Sequence, residues 1–235
     1  MGIRSNLLAV ETSSKVLSVA IQSQSGALFE SNLESAPRHS ELLIQSIQQG
    51  LRSVHLDKND LTHLVWGMGP GSFTGLRIGL SVLKGLSLGL GKKSFGASSL
   101  DLVAFGCSQS SGRLAVCVDA RRDRIYSSMY EFASGTIRRL FSDSLLSIEE
   151  FLSRVNRKTI FTGDGLLRYG SVIRRKVGKG AVFMDPFFWY PRAVSLLRLW
   201  NQKSEWLQTL SLREMTPRYL RRSEAEDQRY GVLKG

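Results

Sequence analysis

The stretch "LLAVETSSKVLSVAI", Leu7–Ile21, holds two short apolar runs split by Thr-Ser-Ser-Lys, and a third run, Ala27–Glu30, follows another polar turn. Closely spaced apolar runs with polar turns predict an antiparallel three-strand meander. The meander has an echo. Ala9-Val10-Glu11 precedes Cys117-Val118-Asp119 by 108 residues, and in both places an apolar run ends in a carboxylate, turns and returns. At that offset Leu17 falls on Ile125, Val19 on Ser127 and Ile21 on Met129, and a glycine, Gly26 or Gly135, closes the second run within one residue. After the first meander, Leu43, Ile47, Leu51 and Val54 recur at helical spacing over Arg38–Val54, with Ser40 as N-cap. A strand at Leu64–Gly67, a helix at Thr74–Leu90, a strand at Lys93–Gly96 and a helix at Ser98–Cys107 follow.

Two such halves predict a duplicated α/β protein with mixed-sheet lobes, flanking helices and a cleft between them. The lobes are expected over 1–110 and 111–235, divided near the linker-like Ser-Gln-Ser-Ser-Gly of 108–112. The second half reads more faintly: a helix at Ile148–Val155, a strand at Thr159–Phe161 entering the Gly163-Asp164-Gly165 loop, a helix at Ala193–Trp206, and a polar tail after 222.

No run approaches the roughly 20 apolar residues that span a bilayer, and the N-terminal residues lack a secretory pattern. A soluble, cytoplasmic chain with no membrane partner is expected. Cys107 and Cys117 have neither disulfide nor metal-ligand spacing and read as core thiols. The net charge of +12 is lopsided: 9 Lys/Arg face 7 Asp/Glu in residues 1–110, against 23 and 13 in residues 111–235. A basic half can attract nucleic acid or can simply be a solvated surface.

The stretch "GMGPGSFTGLRIGLSVLKGLSLG", Gly67–Gly89, resembles a phosphate loop opening a helix. It fails as a Walker loop, because Leu76-Arg77 follows Gly75 where Lys and Ser/Thr are required. It fails as a dinucleotide fingerprint, because Ser72 or Thr74 stands at the final glycine position. Leu76, Leu80 and Leu83 form one face of its helix, Ile78, Val82 and Leu86 another, and Arg77, Ser81 and Lys84 a polar stripe. Each interior glycine costs about 0.5–1 kcal/mol relative to alanine. Close packing offsets that, and a helix apolar around most of its circumference needs two partners. The sheet is one; a helix of another chain is the expected second.

Glu11, Asp119, Asp164 and Asp185 are the acid–base candidates, and carboxylates at strand ends would accept Mg²⁺. The second turn, Ala120-Arg121-Arg122-Asp123, offers no glycine or hydroxyl to a phosphate. His39, expected to be exposed, His55 and His63 have no metal spacing, so neither metal nor cofactor is expected.

Leu8-Ala-Val-Glu-Thr-Ser13, His39-Ser-Glu41, Gly69-Pro-Gly-Ser-Phe-Thr-Gly-Leu-Arg-Ile-Gly79, Asp119-Ala-Arg121 and Pro217-Arg-Tyr-Leu220 resemble hallmarks of the TsaB (YeaZ-type) family. Of these, the Gly69–Gly79 string is highly specific. The resemblance implies a two-lobed actin-like ATPase (ASKHA) fold and a role as partner subunit in tRNA threonylcarbamoyladenosine (t6A) synthesis. The family's catalytic relative, TsaD, holds its metal through two histidines four residues apart; Ser99 and Val103 stand at those places here. The resemblance therefore implies a non-catalytic scaffold that pairs with TsaD, helps recruit the ATPase TsaE, and forms homodimers when the partner is absent. The expected pairing surface is Leu43, Ile47, Gly50 and Leu51 of the first helix with Leu76, Gly79, Leu80 and Leu83 of the second. Glu11, Thr12, Ser13 and Asp119 form the expected vestigial nucleotide or anion site. Two rival classes are a Mg-ATP-dependent carbamoyl or phosphoryl transferase and an RNA-binding module using the basic second lobe.

Overall fold

The first meander forms where the apolar runs lie. Strand β1 (Leu7–Glu11) pairs antiparallel with β2 (Val16–Gln22), and β2 with β3 (Leu28–Glu34). On the other edge of β1 lie β4 (His63–Gly67) and then β5 (Lys93–Ala97), both parallel to it. Parallel neighbours need long crossovers, which α1 (His39–Ser53) and α2 (Phe73–Leu90) supply. The computed structural model describes residues 5–34, 38–108, 111–133, 136–155 and 158–221. The expected tail after 222, the glycine at 135 and the middle of the 108–112 linker lie outside them.

The second half repeats the plan. Strands β6 (Gly112–Asp119), β7 (Arg124–Ala133) and β8 (Thr136–Ser147) form a meander; α4 (Ile148–Arg154), β9 (Thr159–Thr162), α5 (Gly165–Val177) and β10 (Ala181–Phe183) follow. The sheet orders are β5-β4-β1-β2-β3 and β10-β9-β6-β7-β8, the same arrangement twice. This is the duplicated, two-lobed α/β architecture that the actin-like fold requires.

Each half ends in a helix that leaves its own sheet. Leu100, Val103 and Ala104 of α3 (Ser99–Gly106) pack with Leu114, Val116, Tyr126 and Tyr130 of the second sheet. Ala193, Leu196 and Leu197 of α6 (Ala193–Asn201) pack with Leu7, Ala9, Ala20 and Val65 of the first. After α6 the chain adds β11 (Gln208–Leu210) to the free edge of β5. The expected division at residue 110 therefore needs correcting: residues 193–210 belong to the first lobe, and α3 covers the second. Lys203, with a left-handed φ of 52°, lies just past the end of α6 at Asn201, short of the expected Trp206.

The repeat is real, but its register differs from the sequence alignment. Leu7 and Ala9 face inward, onto α6, and Glu11 shares their side of β1. Ala115 and Cys117 face outward, onto α5, and Asp119 shares theirs. Side chains alternate with a period of two, so an even offset of 108 places inward residues on outward ones. The returning strands show the same slip: Val10 pairs with Val19, whereas Val118 pairs with Tyr126. The second turn is one residue shorter.

By length and composition α2 could cross a membrane, the one such helix among the described residues. Instead, Leu76, Gly79 and Leu83 are buried on the first sheet, and Arg77 projects from the opposite side. Two buried ion clusters hold the halves together. Asp101 on α3 accepts from Tyr130 Oη at 2.8 Å and is ion-paired with Arg139 of β8. Asp143 of β8 accepts from Ser98 Oγ at 2.6 Å and from Arg218 Nη1 at 2.9 Å.

Candidate functional site

Glu11 ends β1 on the inward face and is fully buried. Its Oε1 accepts the Ser13 N–H at 2.5 Å, and its Oε2 the Ser99 hydroxyl at 2.8 Å. Ser99 Oγ in turn accepts the Gly69 N–H at 3.1 Å. A Cβ at Gly67 would overlap Glu11 Oε2, so the end of β4 has room only for glycine. This carboxyl joins β1, α3 and the Gly69 loop; it does not line the cleft.

Burial pushes the Glu11 carboxyl above its ordinary value of 4.5, against the opposing pull of its hydrogen bonds. A raised folded-state value means the fold binds this proton more tightly than the unfolded chain does. The associated stability is then complete below about pH 4.5 and is lost as pH rises through the folded value. Glu11→Gln, which cannot ionise, should lose less stability than the parent between mildly acidic and neutral pH. Urea unfolding of both at several pH values checks this, and parallel curves would contradict it.

Thr12 is also buried, at 1% exposure. A Cβ on Gly75 would overlap the Thr12 carbonyl oxygen, and one on Gly79 the Thr12 hydroxyl. Ser72 donates its N–H to Ser13 O at 2.7 Å, and its Oγ caps α2 by accepting the Gly75 N–H at 3.2 Å. The glycines of the 69–79 string thus seat α2 directly on the β1–β2 turn. The Pro217–Leu220 hallmark lies over the same loop. Arg218 N–H donates to Met68 O at 2.7 Å, Tyr219 stacks on Phe73 at 4.5 Å, and Arg77 Nε donates to Tyr219 Oη at 3.1 Å.

Of the four residues expected at an anion site, only Ser13 and Asp119 line the interlobe cleft, a cavity of about 480 Å³. Lys15, Ser72, Thr74, Arg121, Asp164 and Arg221 also reach it. Asp164 Oδ1 accepts the Asp119 N–H at 3.0 Å, and burial raises its carboxyl. Arg121, Arg122 and Asp123 all have positive φ, between 50° and 63°, a left-handed turn built without glycine. Asp185, the remaining acid candidate, caps a 3₁₀ turn by accepting the Phe187 N–H at 2.8 Å. His39 is buried rather than exposed, and burial lowers its pKa. Both cysteines are buried, and burial raises the Cys107 thiol to about 11.

The expected pairing surface needs the larger correction. Leu43, Ile47, Gly50 and Leu51 are buried against the first sheet, and a Cβ on Gly50 would lie 2.6 Å from Phe29 Cδ1. Leu76, Gly79 and Leu83 are buried too, with Leu80 partly covered. A helix apolar all round does not declare which stripe faces its own sheet. The outward face carries other residues: Ile44, 44% exposed, from α1, and Arg77, Ser81, Gly85, Leu88 and Gly89 from α2. Leu88 is 72% exposed. Beside this face, Ser40, Phe73, Thr74, Ile78 and Val82 line a groove of about 480 Å³. A Cβ on Gly85 or Gly89 would meet nothing within 4 Å. Their spacing of four was readable in the sequence; their outward orientation was not.

Ser99 and Val103, at the places of the catalytic relative's histidines, are both built into the interior. Among the described residues no group of three or more His, Cys, Asp or Glu is placed to hold a metal ion.

Residues 33–227 match the family described as TsaD, tRNA N6-adenosine threonylcarbamoyltransferase. The chain is 25% identical over 223 residues to the tRNA threonylcarbamoyladenosine biosynthesis protein TsaB of Bacillus subtilis, covering 94% of this chain and 96% of that one. It is 26% identical over 226 residues to the TsaB of Escherichia coli K12, covering 93% and 96%. The solved structure of YeaZ from Pseudomonas aeruginosa superposes with a TM-score of 0.76 at 26% identity, over 92% of this chain and 100% of that one. The chain belongs to the family of tRNA N6-adenosine threonylcarbamoyltransferases, and its likeness within it is to the TsaB (YeaZ-type) proteins.

Proposed function

We propose that this chain is the non-catalytic, cytoplasmic partner subunit for threonylcarbamoyl transfer to adenosine-37 of tRNA. It pairs with a TsaD-type catalytic subunit through the outward face of α1 and α2, and the pair recruits a TsaE-type ATPase. Copies of this chain pair through the same face when the catalytic subunit is absent.

The observation that carries this reading is the contrast between two pairs of glycines on one helix. Gly75 and Gly79 are needed inside the chain, because Thr12 leaves no room for a Cβ. Gly85 and Gly89 have open space beside them, so nothing within the fold offsets their cost. Close approach of a partner helix does, and exposed Leu88 supplies apolar area beside them. The sealed positions of Ser99, Val103 and Glu11 support the non-catalytic assignment. They also count against the Mg-ATP transferase, since Glu11 is sealed in the interior whereas Asp119 lines the cleft.

Gly85→Ala with Gly89→Ala tests the reading with two opposed readouts. Each substitution should stabilise the isolated chain by about 0.5–1 kcal/mol. Together they should weaken pairing with the catalytic subunit and lower tRNA modification in a reconstituted reaction. A variant that is more stable yet pairs and supports modification as well as the parent would defeat the proposal.

A further inference from the structure

The duplication sets a second helix pair, α4 and α5, on the outer face of the second sheet, where α1 and α2 lie on the first. The two faces differ in chemistry. The first presents Gly85, Leu88 and Gly89, with Arg77 its one exposed cation on α2. The second presents Arg174, Arg175 and Lys176 in the last turn of α5, Lys179 in the 3₁₀ turn beyond it, and Arg154 at the end of α4, all exposed. Between the helices runs a groove of about 590 Å³ that Arg175 and Lys176 line opposite Leu152 and Ser153, with Glu149 its one carboxylate.

Elsewhere in this lobe four surface arginines are matched by carboxylates within the chain. Arg113 and Arg138 pair with Glu131, Arg121 with Asp119, and Arg168 with Asp123. None of Arg154, Arg174, Arg175, Lys176 and Lys179 is ion-paired with another described residue. Cations in a last helical turn complement the helix dipole, which serves Arg154 on α4 and Arg174, Arg175 and Lys176 on α5, but Lys179 lies beyond either helix. Two of the guanidiniums are held in place: Arg174 lies 4.4 Å from the Phe183 ring centroid and Arg154 5.3 Å from that of Phe141. Charge that is oriented and left without an internal counter-ion fits a polyanion with regularly spaced charges.

We propose that the α4–α5 face binds the phosphodiester backbone of RNA, holding tRNA on this subunit independently of base sequence. The choice of RNA among polyanions rests on the proposed role in tRNA modification. The contact is distinct from the α1–α2 pairing face, so a single chain can engage a protein on one lobe and RNA on the other.

The test uses the full chain alone and labelled bulk tRNA, with anisotropy followed from ~50 to ~200 mM salt. Replacing Arg174, Arg175 and Lys176 together by alanine should weaken binding about tenfold or more at ~50 mM salt, and should reduce the log–log salt slope by about 2–3. The variant should keep the parent's melting temperature and its pairing with the catalytic subunit. Arg175→Glu alone, at an exposed position, should also weaken binding, and it decides the matter if the triple variant melts early. Parent-like binding by these variants, or no tRNA binding by the parent, would overturn the proposal. So would tighter binding to phosphatidylcholine vesicles containing about one-third phosphatidylserine than to tRNA, which would assign the face to a membrane surface. Because the isolated chain is used, the result reads independently of whether α1 and α2 pair as proposed.

Discussion

Leu83→Asp is expected to unfold the first lobe, whereas Leu88→Asp, five residues along the same helix, is expected to melt like the parent and fail to pair. Leu83 has no exposed surface and lies among Leu8, Val10, Leu64 and Trp66. Aspartate there removes a core side chain, at a cost of about 2–5 kcal/mol, and buries a carboxylate with no partner, which adds several more. A domain stable by about 5–15 kcal/mol does not survive much of that. Leu88 is 72% exposed, so a carboxylate at its position stays hydrated unless a partner covers it. Urea unfolding of the isolated chain and sedimentation with the catalytic subunit separate the two effects. A stably folded Leu83→Asp chain would contradict the burial of that stripe, and a Leu88→Asp chain that pairs normally would place the interface elsewhere.

Gly75→Ala is expected to be strongly damaging for the addition of a single methyl group. The methyl would overlap the Thr12 carbonyl oxygen, a backbone atom that no rotamer change can move, so α2 must lift from the β1–β2 turn. A loss of about 3 kcal/mol or more is expected, which for a chain of this size lowers the melting temperature by about 6–12 °C. Gly79→Ala should be milder, because it meets the Thr12 hydroxyl, a side-chain group that can rotate. Thermal melts of the two variants check the order. Equal or inverted losses would show that the helix does not sit on that turn as closely as described.

Much of the fold could be read directly from residues. Leu7–Glu11 and Val16–Gln22 are strands because short apolar runs between polar turns have few alternatives, and α1 shows its buried stripe openly at Leu43, Ile47 and Leu51. Leu166, Tyr169 and Ile173 carried the same signal for α5, hidden by the glycines around Asp164. Strand β8 was missed because Arg138, Arg139 and Asp143 interrupt it; its length comes from pairing with β7. The exchange of α3 and α6 between sheets is a tertiary choice that no local pattern encodes. Helix α2 was legible as a helix with too much apolar surface, but an almost wholly apolar circumference gives no preferred orientation. Its inward stripe therefore reads, in the sequence, like an outward one. The expected anion site comes only partly together, with Ser13 and Asp119 in the cleft, because a carboxylate at a strand end faces a cleft or a core depending on one residue of register.

The ion clusters around Asp101 and Asp143 have a mechanical consequence. Each joins a residue of α3 or its cap to the far sheet, and α3 and α6 cross between the lobes as paired rivets. Spreading the lobes would strip two interior carboxylates of their cations in a medium that solvates ions poorly, at several kcal/mol for each. A two-lobed machine that works by opening and shutting has a soft hinge at this place. Here two interior ion clusters and two crossing helices occupy that place, so opening the lobes is expected to be costly.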